Sequence, residues 1–331
     1  MYRPMRFSEI VGQEVVVKLI KSALIHDKLS RSIILHGPSG VGKTTIARLI
    51  AAWYVCTQRT NDDICGKCEM CKAIQNDSLI DVLEFDAASN TSVEDMREIL
   101  NQCNYAPQYS SNKIFIIDEA HMLSRNAISA LLKTLEETAD HIRFILVTTE
   151  IDKISNPIRS RCLCIQMQSI KPSEITMHLN ALPNIKIDEL AIKLLINLSN
   201  GSMREVLSIV EQASILSDTV DMNILTQILS FANDSSVEDL MQKIVTGDFV
   251  GVFDLLQLIL QENVSLLSVL NQLIQLCREK ILHALNASVK EKLLINLIDL
   301  NKLYFSSTKI AFFSEFITIG LTEIAYKNKA D

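Results

Sequence analysis

Short apolar runs rich in β-branched residues alternate with amphipathic stretches over the first half of the chain. Each run is long enough for one buried strand of a parallel sheet: Ser32–His36, Val82–Asp86, Lys113–Ile117, Phe144–Thr148 and Cys162–Gln166. The stretches between them have helical spacing, as in Ala127, Leu131 and Leu135, with Ser124 as the expected N-cap. Strands that alternate with helices predict a three-layer α/β domain at residues 1–170.

The hydrophobic pattern changes after Ile170, where the β-branched runs stop. Residues 171–173, Lys-Pro-Ser, suit a linker and a helix start. The remainder of the chain has a helical pattern with breaks near Pro183, Asn200-Gly201 and residues 232–236. We therefore expect two all-helical domains, at residues 171–232 and 233–331.

Composition and charge exclude several classes of protein. The chain has 331 residues and a net charge of -7, so a basic coat that binds nucleic acid over the whole surface is excluded and any DNA contact must be local. Residues 1–10 lack the basic end and apolar run of a signal peptide. The apolar segment Phe249–Cys277 is interrupted by polar residues such as Asp254 and Glu262, which are costly inside a bilayer. We expect a cytoplasmic protein without membrane contact.

A phosphate-binding loop is the most specific nucleotide motif of the chain. Residues 37–44 fit the pattern G-x-x-x-x-G-K-[ST], directly after the strand predicted at Ser32–His36 and before a helix that begins near Lys43. In such loops backbone N–H groups point at the phosphates and the helix N-terminus adds a favourable dipole. An ordinary glycine-rich turn is disfavoured by this context. We predict that the loop binds ATP through Gly37, Ser39, Gly40, Val41, Gly42, Lys43, Thr44 and Thr45.

Two carboxylates come directly after the apolar run Ile114–Ile117, at the edge of the sheet where ligands of open α/β folds bind. Lys43 would contact the β- and γ-phosphates, and Thr44 and Asp118 would hold Mg²⁺. Successive strand residues face opposite ways, so Glu119 is the better candidate for polarising the attacking water. The alternative is a solvated turn, which the nearby phosphate loop disfavours.

Residues 118–121, Asp-Glu-Ala-His, also match the sequence motif after which one group of nucleic-acid helicases is named. Those enzymes need a second α/β motor domain. The helical second half leaves no place for one, so the helicase interpretation is disfavoured.

Cysteines are concentrated in one short segment. Cys56, Cys65, Cys68 and Cys71 give the spacing C-x8-C-x2-C-x2-C, which suits tetrahedral Zn²⁺. Sulfur fills all four positions, so the metal would be structural; the alternative is four unrelated thiols. Without an export signal we expect thiols and no disulfides, and small core residues at Cys103, Cys162, Cys164 and Cys277.

With these motifs in place, the chain resembles the gamma/tau subunits of bacterial DNA polymerase III, AAA+ ATPases of the sliding-clamp loader. The cysteine knuckle inside the ATPase domain is the most specific shared feature. The other matching segments lie between residues 2 and 204: residues 2–4, Phe7, Val11-Gly12-Gln13, 37–44, 86–90, 117–123, 130–137, 160–162 and 201–204.

The resemblance assigns roles to further residues. It implies that Arg161 reaches the ATP site of a neighbouring subunit in a ring, where a cation stabilises charge on the γ-phosphate; the alternative is a surface salt bridge. It implies that Thr149, or the adjacent Thr148, senses that phosphate. It implies that Arg204 contacts the nucleotide from a lid domain at residues 171–232, and that the adenine-side wall includes Val11 and Gly12.

The resemblance also implies partners: delta, delta-prime and further gamma subunits, the sliding clamp and primer-template DNA. Residues 233–331 would be the oligomerisation collar. Asn90, Thr91 and Ser92 precede a helix whose amides could accept a DNA phosphate with help from Arg97, although a plain capped helix explains them equally well.

The two ends of the chain differ from the family pattern. The start at Met1-Tyr2 leaves the nucleotide contacts of the N-terminal segment open. The chain ends at Asp331, so the resemblance does not carry over the tethering of polymerase and replicative helicase by the long tail of the tau form.

Two functions remain in competition. The first is an ATP-hydrolysing motor within the DNA polymerase III holoenzyme that loads the clamp onto primed DNA. The second is a non-hydrolysing stator resembling delta-prime, which presents Arg161 without turning over ATP. That relative characteristically has a defective phosphate loop, so the presence of Lys43, Thr44, Asp118 and Glu119 favours the motor.

Overall fold

A computed structural model of the chain describes most of its residues. The described ranges are 3–60, 62–76, 78–89, 96, 99–137, 139–183, 185–229, 234–261, 264, 266–283, 287–307 and 313–330. The chain divides into two units, Met1–Val220 and Asp221–Asp331, each of which has its own set of elements. The division into an ATPase domain (1–170), a lid (171–232) and a collar (233–331) stays a prediction.

Within the described residues, a five-stranded sheet forms the centre of the first unit. Its strands are β1 Ser32–His36, β2 Val82–Asp86, β3 Lys113–Asp118, β4 Ile142–Thr148 and β5 Leu163–Gln166. They lie in the order β2-β3-β4-β1-β5, and every neighbouring pair is parallel. The predicted parallel α/β sheet is confirmed, and the predicted strand ends agree with the observed ones to within two residues.

Alternating residues of the strands face two different hydrophobic layers. In β1, Ile33 and Leu35 pack into a core that also contains Ile46 and Ile50 of the following helix, whereas Ile34 packs into the opposite core. All three strand residues are at most 1% exposed. The sheet is therefore buried on both faces, as a continuous apolar run in a parallel strand predicts.

Helices cover both faces of this sheet. Those of the α/β part are α1 Glu14–Ile25, α2 Lys43–Val55, α3 Glu69–Gln75, α4 Arg125–Glu136 and α5 Asn156–Arg159. Ser124 caps α4, because its Oγ accepts a hydrogen bond from the Ala127 N–H (N···O 3.3 Å), so the predicted N-cap is confirmed.

The remainder of the first unit is a small helical layer, α6 Pro172–Asn180, α7 Glu189–Ser199 and α8 Met203–Leu216. The structure adds a parallel pair of two-residue strands, Lys186–Ile187 and Thr219–Val220, which the all-helical prediction for this region lacks. Strands this short carry no readable alternation in the sequence.

The second unit is helical throughout its described residues, as predicted. Its helices are α9 Met222–Leu229, α10 Asp234–Thr246, α11 Phe249–Gln261, α12 Leu266–His283, α13 Ala287–Ser307 and α14 Phe313–Ala330. Apolar side chains such as Leu240, Leu256 and Leu273 form its core. No helix in the described part of the chain is long and apolar enough to cross a lipid bilayer.

Candidate active site

A cavity opens at the carboxyl ends of the central strands, where the loops after β1 and β3 meet α6 and α8. Four parts of the first unit contribute to its wall: Arg3, Pro4, Glu9, Ile10 and Val11; Ser39 to Thr45; Asp118 and Glu119; and Ile170, His178, Met203, Arg204 and Leu207. Ligands of open α/β sheets bind at this edge. The predicted phosphate loop and acidic pair therefore lie in one site.

The phosphate loop is in contact with the helical layer. Gly40 has a left-handed backbone (φ +71°), and a Cβ at this position would collide with the Ser202 side chain. The Gly40 carbonyl accepts a hydrogen bond from the Arg204 N–H (N···O 3.3 Å). Only glycine allows both the conformation and the close approach. Arg204 is thus joined to the loop through its backbone and lines the cavity with its side chain.

Lys43 is held inside the loop. Its Nζ donates to the carbonyl oxygens of Gly37 at 2.9 Å and Pro38 at 2.7 Å, and the residue is 7% exposed. Burial lowers the pKa of Lys43, while the carboxylates of Glu119 and Asp118 oppose the shift. The ammonium group is therefore positioned in the loop that would surround the phosphates.

Thr44 and Asp118 form the oxygen pair expected for Mg²⁺. The Thr44 Oγ1 donates to Asp118 Oδ2 at 2.7 Å, and the other carboxylate oxygen accepts from the Glu119 N–H at 2.9 Å. Mg²⁺ is bound by hard oxygen ligands and retains several waters, so a hydroxyl and a carboxylate side by side fit this ion.

Glu119 stands beside the predicted sensor. Its backbone is left-handed (φ +47°), a conformation that costs about 1–3 kcal/mol in a residue other than glycine and that clusters at functional sites. Its Oε2 lies 3.4 Å from the Thr149 Oγ1 and 3.4 Å from the His121 Nδ1. The structure thus brings Glu119 and Thr149 together.

Thr148 has a different environment. It is fully buried, its Oγ1 lies 3.1 Å from the His121 Nδ1, and the same oxygen accepts from the Glu150 N–H at 3.0 Å. Of the two threonines, Thr149 therefore faces Glu119, and Thr148 supports His121. Sequence reasoning missed His121 as a neighbour of Glu119, because it considered this histidine only as part of a helicase box.

Arg161 lies outside the described lining of the cavity. Its Nη1 donates to the Pro157 carbonyl at 2.9 Å, and its Nη2 pairs with Glu136 Oε1 at 2.5 Å. The side chain is 39% exposed. The guanidinium is therefore partly exposed and paired with Glu136 within its own chain.

Of the two predicted adenine-side residues, the structure places only one in the described lining of the cavity. Val11 lines the cavity, whereas Gly12 lies outside its described lining, as does Gly37 of the predicted phosphate loop. Gly12 packs against Ile170 and Glu174 instead, and Gly37 serves as an acceptor for Lys43. Sequence reasoning missed several wall residues because no motif marks them: Glu9, Ile10, Ile170, His178 and Leu207. Met203 also lines the cavity, next to the predicted Arg204.

The predicted DNA contacts Asn90, Thr91, Ser92 and Arg97 lie outside the described residues.

The four cysteines of the knuckle, residues 56–71, converge in space. Their Sγ atoms all lie within 4.8 Å of one another, with Cys56–Cys65 at 3.5 Å, Cys56–Cys68 at 3.9 Å and Cys65–Cys71 at 4.0 Å. A tetrahedral site with Zn–S bonds of about 2.3 Å has S···S edges of about 3.8 Å. All four residues are buried, so the donor set fits a structural zinc ion.

The remaining cysteines differ in exposure. Cys277 is buried and Cys103 and Cys162 are partly buried, but Cys164 is exposed, so its expected place in the core is wrong. It lies on β5, at the edge of the sheet, where only one residue of the strand is buried.

Replacing Cys68 by serine is expected to remove zinc from the protein, because a neutral hydroxyl is a poor substitute for a thiolate ligand. The loss in zinc affinity should exceed the roughly 10–100-fold that an outer-shell partner contributes. Metal analysis of the purified chain measures it. Cys164→Ser is the matched control and should retain the metal; a Cys68→Ser protein with undiminished zinc would contradict the site.

Comparison with known proteins places the chain among replication proteins. A family model described as "DNA polymerase III, delta subunit" matches residues 12–171. The chain is 41% identical over 236 residues to DNA polymerase III subunit gamma of Buchnera aphidicola subsp. Schizaphis graminum, a match that covers 70% of this chain and 65% of that protein. The chain thus spans less than two thirds of the length of this relative.

Two further comparisons extend the match. The RuvB Holliday junction branch migration motor of Thermotoga maritima has the same fold, with a TM-score of 0.51 at 20% identity over 73% of this chain and 79% of that one. This likeness shows a shared fold, and the predicted AAA+ P-loop fold is confirmed. DNA polymerase III subunit gamma of Buchnera aphidicola subsp. Baizongia pistaciae is 32% identical over 282 residues, 84% of this chain and 76% of the relative. With most of both sequences aligned, the chain belongs to the gamma/tau subunit family of DNA polymerase III.

Proposed function

We propose that the chain is an ATP-hydrolysing motor subunit of a DNA polymerase III clamp loader. The observation that carries the proposal is the convergence of three groups on one cavity: the Lys43 loop, the Thr44–Asp118 pair, and Glu119, which lies beside Thr149. A stator of the delta-prime kind has no use for a complete set of phosphate, metal and water-activating groups.

The geometry supports a division of labour among the residues. The loop amides and Lys43 bind the β- and γ-phosphates, which positions the γ-phosphoryl group for transfer to water. Thr44 and Asp118 would hold Mg²⁺, which when bound neutralises charge on these phosphates. Glu119 orients the attacking water and accepts its proton. Arg204 lies on α8 and lines the cavity, so its contact with a bound nucleotide would depend on the position of the helical layer.

A ring is part of the proposal. Arg161 does not line the described cavity of its own chain, so a role for its charge in hydrolysis requires the ATP site of another subunit. Arg161, partly exposed at the surface, would act on the nucleotide of the next subunit. We propose delta, delta-prime and further gamma subunits as neighbours, with the sliding clamp and primer-template DNA as substrates in the cytoplasm.

Residues 233–331, which make up most of the second unit, are proposed as the oligomerisation collar. Several large apolar residues are about half exposed or more on its helices, among them Leu282, Leu294, Ile295, Ile298 and Ile319. Exposed apolar surface of this kind is typical of interfaces between subunits.

Binding of ATP by the single chain separates the motor from the stator. We expect saturable, Mg²⁺-dependent binding of a fluorescent ATP analogue to the isolated chain. Replacing Thr44 by valine should weaken that binding by about tenfold, because it removes one oxygen ligand of the metal and the donor to Asp118. Fluorescence anisotropy with and without Mg²⁺ measures both effects.

Thr176→Val is the matched control, since Thr176 is a helix residue outside the described lining of the cavity and its hydroxyl donates locally to the Pro172 carbonyl. It should bind like the original chain. A chain that shows no Mg²⁺-dependent affinity for ATP would favour the stator.

A further inference from the structure

We propose that the cysteine knuckle anchors the N-terminal arm, residues 3–11, over the nucleotide cavity, so that zinc occupancy raises nucleotide affinity. This inference rests on the nucleotide site proposed above. It assigns to Arg6 and Asp63 a positioning role between the metal site and the nucleotide site.

The N-terminal arm contributes to the cavity at both of its ends. Arg3 and Pro4 line the cavity from one side of the arm, and Glu9, Ile10 and Val11 line it from the other. Within these nine positions the only regular structure is a single 3-10 turn, Phe7–Glu9. A segment with so little structure of its own must be ordered by contacts elsewhere, because each fixed residue costs about 1–2 kcal/mol of conformational entropy.

The middle of the arm is bound to the knuckle by hydrogen bonds. The Arg6 guanidinium donates twice to the Cys65 carbonyl, from Nε at 3.1 Å and from Nη2 at 2.8 Å. The Asp63 carboxylate accepts from the Phe7 N–H at 3.2 Å and from the Ser8 N–H at 3.0 Å, so it caps the turn of the arm. Charge-assisted hydrogen bonds of this kind are about twice as strong as neutral ones.

Packing adds to these bonds. Phe7 is 1% exposed and belongs to the same hydrophobic core as the four cysteines. Gly66 has a left-handed backbone (φ +68°), and a Cβ there would lie 3.1 Å from the Met5 Cβ and 3.2 Å from the Met5 carbonyl oxygen. The knuckle and the arm are therefore in close contact over residues 5–8.

The acceptors of these bonds depend on the metal site for their own position. Cys65 supplies both a candidate metal ligand and the carbonyl that Arg6 binds, and Asp63 lies two residues before it. Residues 56–60 and 62–68 contain no helix or strand in the structure. Four thiolates held by one cation would fix this loop, whereas four neutral thiols supply no comparable bond.

The consequence is a coupling between two sites of one chain. If the arm is ordered only when the knuckle is ordered, part of the binding free energy of the nucleotide is used to order the arm in the zinc-free protein. Coupling of this kind is reciprocal: zinc should raise the affinity for nucleotide by the same factor by which nucleotide raises the affinity for zinc. We expect a factor of about ten, within the roughly 5–150-fold range of such couplings.

Two affinities test the coupling in the full chain. The dissociation constant of a fluorescent ADP analogue is measured by anisotropy on zinc-loaded protein and on protein stripped of zinc by a chelator under reducing conditions. Zinc affinity is measured by competition with a chromogenic chelator, with and without ADP. We expect about tenfold weaker nucleotide binding without zinc, and about tenfold tighter zinc binding with ADP.

Variants separate the coupling from simple unfolding. Arg6→Ala and Asp63→Ala should keep their zinc yet bind nucleotide about tenfold more weakly, and ADP should no longer change their zinc affinity. Asp62→Ala is the matched control: this neighbouring carboxylate is 89% exposed, pairs with Lys21 and should leave both affinities and their coupling unchanged.

The outcomes are distinct. Equal nucleotide affinity in zinc-loaded and zinc-free wild-type protein would overturn the coupling while leaving the nucleotide site intact. Arg6→Ala protein with the full reciprocal effect would overturn the role of the arm contact. A zinc-loaded wild-type chain and Asp62→Ala control that both fail to bind nucleotide would overturn the proposed function as well.

Discussion

Replacing Arg161 by alanine is expected to leave ATP binding unchanged and to lower ATP hydrolysis by the assembled complex about 1,000-fold. Arg161 does not contribute to the described lining of its own chain's cavity, so its loss should not disturb the ground-state site. An arginine that reaches a γ-phosphate from a neighbouring subunit contributes roughly 10³–10⁵ to the rate constant of hydrolysis. Steady-state ATPase assays on the complex with clamp and primed DNA measure the effect.

Two further substitutions, one at a nearby arginine and one at position 161 itself, test whether the effect is specific to the Arg161 guanidinium. Arg159→Ala removes a nearby arginine that pairs with Asp152 at 3.9 Å, and it should retain most of the activity. Arg161→Lys keeps the charge but loses the planar fork that binds phosphate with two donors, so only partial recovery is expected. Normal hydrolysis by the Arg161→Ala complex would show that the arginine does not act between subunits.

Local patterns in the sequence were sufficient for the parts of the fold that depend on neighbours along the chain. The runs that became β1 to β5, the Ser124 cap and the loop at residues 37–44 all express short-range rules of burial, capping and turn formation. The cysteine knuckle belongs to the same group, because its spacing alone brings four thiols within reach of one ion.

The features of the site that the sequence did not predict depend on contacts between residues far apart along the chain. Ile170, His178 and Leu207 line the cavity because the chain folds so that the helical layer contacts the phosphate loop. No sequence motif indicates that contact. The bonds between Arg6 and Cys65 join positions 59 residues apart. Contacts of this kind depend on the tertiary fold and leave no periodic signal.

The surroundings of Glu119 likewise combine one feature that the local sequence predicts with contacts that it does not. That a carboxylate would come directly after β3 was readable from the apolar run before it, but its partners were not. His121 lies between Glu119 and Glu150, with ring-nitrogen to carboxylate distances of 3.4 Å on both sides, and it also contacts Thr148. The adjacent ends of β3 and β4 bring these groups together, so which of Thr148 and Thr149 lies beside Glu119 depends on the register of the sheet.

Replacing Lys43 by methionine is expected to weaken ATP binding about 100-fold and to abolish measurable hydrolysis. Methionine retains most of the length of the side chain and loses the charge, so the change removes charge-assisted hydrogen bonds to the phosphates, which contribute about 1.5–3 kcal/mol each. Isothermal titration with ATP and Mg²⁺ measures the affinity. Lys28→Met, at an exposed position of the same unit, makes the same change in net charge and should bind normally.

The Lys43→Met protein should still fold, which makes its loss of binding interpretable. Burial lowers the pKa of Lys43, so keeping this group charged costs the folded chain stability, and an apolar side chain of similar length avoids that cost. The carbonyls of Gly37 and Pro38 lose a donor, which should offset part of that gain. We therefore expect a thermal unfolding midpoint near that of the original chain; nucleotide affinity within about threefold of the Lys28→Met control would refute the phosphate-binding role of Lys43.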